Sequence, residues 1–115
     1  MVKPEGHPAR FRVRKRTAFQ HAYTSGKKRV GPNCVLFAVP NGREDSRLGV
    51  TATKKLGNAV RRNRARRIVR EAFRRVRPQL AGGYDYVVVA RHTIFSSATA
   101  ELQPELIALA TGATP

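Results

Sequence analysis

Arginine dominates the chemistry available to this chain. Residues 54–77 hold eleven Lys or Arg and a single acid, Glu71. The densest run is Arg61-Arg62-Asn63-Arg64-Ala65-Arg66-Arg67-Ile68-Val69-Arg70-Glu71-Ala72-Phe73. Rigid forks of guanidinium donors suit phosphate oxygens better than lipid headgroups or loose acidic tails. Polyanion binding is therefore the chemistry to expect. Phosphodiester hydrolysis by a protein typically needs several converging carboxylates to hold divalent ions. The seven Asp and Glu are dispersed, and the adjacent pair Glu44-Asp45 falls in a predicted turn. His7, His21 and His92 are scattered and read as surface residues or incidental RNA contacts. Cys34 sits in an apolar run and reads as a small buried hydrophobe. No catalytic residue, bound metal or cofactor is expected on the protein itself.

The whole chain supports the same reading. At 115 residues it is one domain with a small core. A net charge of +16 and a pI near 11.6 point to nucleic acid or an anionic membrane. The membrane option is the weaker one, because no stretch approaches the roughly 20 apolar residues of a spanning helix. The polar, Pro-containing N-terminus shows no secretory signal, and one cysteine cannot form an internal disulfide, so a cytoplasmic location is expected. The charge is uneven: +8 over residues 1–30, zero over 31–53, +10 over 54–77 and −2 over 78–115. That polarity predicts a defined binding face.

These residues must be held by a small set of elements. Residues 1–12 read as a flexible basic arm, 13–111 as the folded domain and 112–115 as a tail. Ala18, Phe19, Ala22 and Tyr23 recur at helical spacing between Lys15 and Thr24, and Ser25-Gly26 closes that segment. A short additional strand fits Lys28–Val30. Cys34–Val39 is a near-continuous apolar run, as expected of a strand covered on both faces. Asn41-Gly42 is a turn signal and predicts antiparallel pairing with the next strand, Arg47–Thr53. Asn58 is a candidate N-cap for a helix from Ala59 to about Arg77, stopped by Pro78. Ala65, Ile68, Val69, Ala72, Phe73 and Val76 form its apolar stripe. Arg62, Arg66, Arg70 and Arg74 make an i, i+4 row beside that stripe. Tyr84–Ala90 reads as a buried strand, and Ser96-Ser97 as the cap of a last helix from about Ala98 to Ala110. The fold class is α+β, a single-domain α/β sandwich of order α-β-β-α-β-α. The helix 59–77 makes a β-α-β crossover.

The run Lys54-Lys55-Leu56-Gly57-Asn58-Ala59-Val60-Arg61-Arg62-Asn63-Arg64 and its continuation to Phe73 resembles the signature of the bacterial ribonuclease P protein family. Phe19 and Tyr23 before Gly26-Lys27-Lys28, Leu48-Gly49-Val50-Thr51, and Asp85–Arg91 match in order and spacing. The resemblance covers about residues 10–110. Ala65, where the family usually has a large aliphatic, and Thr51-Ala52-Thr53 are departures that bear on local packing. The resemblance implies a ribosomal-protein-like fold with a left-handed crossover, against the general right-handed rule. It implies a subunit that binds the catalytic RNA of the holoenzyme and the 5′ leader of precursor tRNA. The RNA and its magnesium ions then carry the chemistry, and no membrane or obligate protein partner is involved. The implied RNA-binding residues are Arg62, Asn63, Arg64, Arg66, Arg67, Arg70, Lys54 and Lys55. Phe19, Tyr23 and Phe37 would line the leader cleft, with Arg12, Arg14, Lys15 and Arg16 adding phosphate contacts. Core packing is the competing expectation for Phe19 and Phe37.

Composition alone also admits a ribosomal protein or an RNA chaperone. A DNA-binding regulator is disfavoured, because the elements flanking helix 59–77 do not make a helix-turn-helix. A protein-only nuclease lacks the expected metal ligands.

Overall fold

The sheet is built around its most apolar strand. The computed structural model describes residues 11–96 and 99–114. Strands β1 (Lys27–Val30), β2 (Cys34–Pro40), β3 (Arg47–Thr51) and β4 (Tyr84–Ala90) form one sheet in the order β1-β2-β4-β3. Helices α1 (Arg16–Ser25), α2 (Ala59–Val76) and α3 (Thr99–Ala113) pack on it. The mixed α+β sandwich agrees with the sequence, and the segment near Lys28–Val30 is a true strand.

One expectation fails. Asn41-Gly42 does turn the chain, with Gly42 at φ +72, but β2 and β3 do not pair. β4 lies between them, antiparallel to β2 and parallel to β3. The physical reason is burial. Asp85 to Val88 are buried in an unbroken run, so this strand needs cover on both faces and takes a central place. Asn41 serves this arrangement instead of a hairpin: its N–H donates to the Gly83 carbonyl at 2.9 Å, and its Nδ2 donates to Asp85 Oδ1 at 3.0 Å.

Opposed residues in the ladders point to the same face. Leu36, Val88 and Leu48 meet the large core under α2 and α3. Val39 and Val87 pack with Ala22, Phe19 and Phe37 under α1 on the other face. Gly49 admits the Phe19 ring, since a Cβ there would come within 2.7 Å of Phe19 Cε1. Of the expected α2 stripe, Ala65, Val69, Ala72, Phe73 and Val76 are buried, while Ile68 is half-buried against the same core. α2 begins as expected, with Asn58 Oδ1 accepting from Arg61 N at 3.0 Å. A 3₁₀ turn containing Pro78 follows it.

Several boundaries move. β3 ends at Thr51 because Lys54–Leu56 winds into a 3₁₀ turn. α3 runs through Ala113, beyond Ala110 and into the expected tail. Arg29 donates to the Gly112 carbonyl through Nε at 2.9 Å and Nη2 at 2.7 Å, placing a cation at the helix C-terminus. Phe11 and Arg12, placed in the arm by sequence, lie against the domain. Arg77 Cζ stacks 3.5 Å from the Phe11 ring centre, and Val13 N donates to the Leu48 carbonyl at 2.9 Å. Residues 1–10, the expected cap Ser97, and Pro115 fall outside the described residues.

Cys34 is fully buried as expected. Burial, then the adjacent Glu105 carboxylate, push its thiol pKa up. Tyr86 is pushed up to about 12 by burial, and its hydroxyl donates to the Ala81 carbonyl at 2.7 Å.

At the opposite end of β4, Arg47 grips Asp85 with two bonds, Nε to Oδ1 at 2.8 Å and Nη2 to Oδ2 at 2.7 Å. The Asp85 side chain is only 6% exposed. Asp85→Ala would strand Arg47 and Asn41 together. We expect a loss of about 3 kcal/mol in unfolding free energy, measured by urea denaturation.

Candidate nucleic-acid interface

α1 covers only part of its sheet face. Beyond it lies the row Val30, Val35, Val89 and Thr51, one residue from each strand in register. At this uncovered end the Tyr23 hydroxyl bonds Thr51 Oγ1. Tyr23 remains 38% exposed, and its ring meets Phe37 edge-on with centroids 5.2 Å apart. A groove of about 390 Å³ opens here, lined by Phe19, Tyr23, Val50 and Thr51 together with Arg14, Arg16 and Arg66. Aromatic rings and guanidinium groups thus line one groove.

The α2 cations fall into two groups. Arg74 and Arg75 are tied to Glu71, both at 2.9 Å, and these bonds hold its carboxyl below the usual carboxylate range. Arg62, Arg64, Arg66, Arg67 and Arg70 have no carboxylate partner among the described residues. The i, i+4 row expected from sequence is therefore split after Arg70. Asn63 Oδ1 accepts from Arg66 Nη1 at 2.9 Å and steadies that side chain toward the groove. Burial first, then the positive charges of Arg12 and Arg66, push the Arg70 guanidinium below its ordinary pKa. The Nε atoms of Arg12 and Arg62 are buried without a hydrogen-bond partner. Unneutralised cations packed this closely favour an anion between them.

A second hollow of about 490 Å³ lies at the C-terminal ends of the parallel pair β3 and β4. Lys55, Arg91 and His92 line it with Thr53, Leu56 and Val89. It adjoins the first through Thr51 and Val89, which are paired across the strands.

The expected residues do not all converge. Phe19, Tyr23, Arg14, Arg16 and Arg66 meet in the groove, and Arg12 lies near enough to Arg70 for their charges to interact. Phe37 is half-buried and touches the groove through Tyr23. Lys15 and Lys54 are exposed but line neither hollow. Asn63, Arg64 and Arg67 are exposed on α2. Val50, Thr51, Arg91 and His92 were not expected as site residues. Val50, Thr51 and Arg91 lie in segments that carry the family resemblance, but their place at strand ends gains meaning only once β3 and β4 are known to be parallel neighbours. Among the described residues no group of three or more His, Cys, Asp or Glu side chains could hold a metal ion, and no metal site is assigned to this chain. No helix among them is long and apolar enough to cross a membrane.

Residues 8–114 match the Ribonuclease P family. A "Ribonuclease P protein component" from Roseiflexus castenholzii is 43% identical over 100 residues, covering 86% of this chain and 79% of that protein. One from Desulfosudis oleivorans is 40% identical over 99 residues, covering 85% and 81%. Among solved structures, the RNase P protein of Thermotoga maritima superposes with a TM-score of 0.80 at 30% identity, covering 90% of this chain and 98% of that one. The Staphylococcus aureus RNase P protein gives 0.77 at 30% identity, covering 90% and 95%. A match over nearly the whole sequence, with the same fold, establishes that this chain belongs to the ribonuclease P protein family.

Proposed function

We propose that this chain is the non-catalytic protein subunit of a ribonuclease P holoenzyme, binding the catalytic RNA along α2 and the 5′ leader of precursor tRNA in the groove beside α1. The observation that carries this reading is the groove, which Phe19 and Tyr23 line together with Arg14, Arg16 and Arg66. Unpaired bases stack on aromatic faces while guanidinium groups meet their phosphates. Stacking tolerates any base, as leaders of varied sequence require. Arg62, Asn63, Arg64, Arg67 and Arg70 face the scaffold RNA, and Lys54 and Lys55 extend the basic surface past the start of α2.

The hydrolytic step is assigned to the RNA and the magnesium ions it holds. Four acids among the described residues support that assignment by their other engagements. Asp45 pairs with Arg43, Asp85 with Arg47, Glu71 with Arg74 and Arg75, and Glu105 accepts from Asn33 at 2.7 Å. Each holds the fold or tempers local charge. The protein's part is to bind, orient and neutralise.

The deciding assay is precursor tRNA cleavage by a cognate catalytic RNA at low magnesium, with and without the chain. A rate increase is expected with it, and no increase would defeat the proposal. Arg62→Ala and Arg66→Ala should each weaken holoenzyme assembly or substrate binding by about ten-fold, the scale of one charge-assisted contact. Glu71→Gln should act oppositely, because it releases Arg74 and Arg75. Affinity for the catalytic RNA should rise, and the slope of log K against log salt should steepen by about one to two. Filter binding across a salt series measures both effects.

A further inference from the structure

Arg61 stands apart from the arginine run that it opens. Its Nε donates to the Leu56 carbonyl at 2.9 Å, and its Cζ lies 4.2 Å from the centre of the Phe95 ring. Phe95 meets the His92 ring edge-on, with centroids 6.3 Å apart. The side chain therefore folds back toward the start of α2. Gly57, at φ +124, leaves room for it, since a Cβ there would come within 2.8 Å of Arg61 Cδ. Three segments meet at this one guanidinium. They are the 3₁₀ turn carrying Lys54 and Lys55, the first turn of α2, and the 3₁₀ turn His92–Ser96 that follows Arg91.

We propose that Arg61 is a positioning residue that fixes the second hollow. Lys55 stands on one of the joined segments, and Arg91 and His92 stand on another. Lys55 and Arg91 line the same space, and Arg91 is held from the far side by its own Nη1, which donates to the Gly31 carbonyl at 3.0 Å. The Arg61 guanidinium ties the Lys55 segment to the His92 segment by donating Nε to the Leu56 carbonyl in its own plane while it lies over the Phe95 ring. A planar guanidinium does both at once, whereas an ammonium is a point charge without a stacking face. Its role here is the geometry of its fork and face, with its charge secondary. A preformed hollow binds more tightly because less of the protein must be reorganised on binding. The inference rests on the RNA-binding reading above and assigns that surface a brace.

The test uses the full chain with Arg61→Lys, Phe95→Leu, the double variant and Phe95→Tyr. The probes are a single-stranded RNA hexamer and the folded catalytic RNA. Arg61→Lys and Phe95→Leu should each weaken hexamer binding about two- to five-fold, the size of one exposed cation–π contact. The double variant should lose no more than the weaker-binding single, as expected for two halves of one contact. The salt slope should stay unchanged, since no phosphate contact is removed. Phe95→Tyr, which keeps the ring, should bind like the parent. The brace is overturned if both single variants bind like the parent, if their losses add, if the salt slope falls, or if Phe95→Tyr loses as much as Phe95→Leu. If the parent chain binds neither RNA, the reading under Proposed function fails instead.

Discussion

Guanidinium groups from two parts of the chain face one another where the N-terminal segment runs beside α2. Arg12 and Arg66 each repel the half-buried Arg70 at this seam, and its partial burial removes some of the water that would screen it. No carboxylate answers them among the described residues. The fold therefore has to hold like charges together by other means. Val13 is buried and bonded to Leu48, and Phe11 lies under Arg77. On the far side of the seam, Val69, Ala72, Phe73 and Val76 anchor α2 in the main core. Apolar burial offsets the repulsion and leaves an electrostatic demand that a polyanion can meet.

The same scaffold separates structural arginines from available ones. Arg29 caps α3, Arg47 grips Asp85, Arg61 stacks on Phe95, and Arg74 and Arg75 share Glu71. These are all spent on the protein itself. Arg62, Arg64, Arg66, Arg67 and Arg70 have no carboxylate partner among the described residues, and Arg66 lines the groove. A formal charge of +16 thus overstates the diffuse field and understates how localised the unpaired positive charge is.

Strand order links the two hollows. Because β4 lies between β2 and β3, Thr51 and Val89 become neighbours, and the residues that follow each strand converge at one end of the sheet. Lys55 follows β3, and Arg91 and His92 follow β4. α1, set across the other end of the face, leaves the Tyr23 side open.

Much of this was fixed locally. The α2 span from Asn58 to Pro78, its apolar stripe, the burial of Cys34 and the density of unpaired arginine are consequences of spacing, capping and composition, which act within one or two turns of chain. The tertiary structure alone decided what depends on distant segments meeting. It placed β4 between β2 and β3 against a strong turn signal, because a strand apolar on both faces needs cover on both. It brought Arg12 to α2 and gathered Lys55, Arg91 and His92 around one hollow. Periodicity reports which face of an element is buried, but contact between faces is set by the packing of the whole sheet, and no local pattern encodes it.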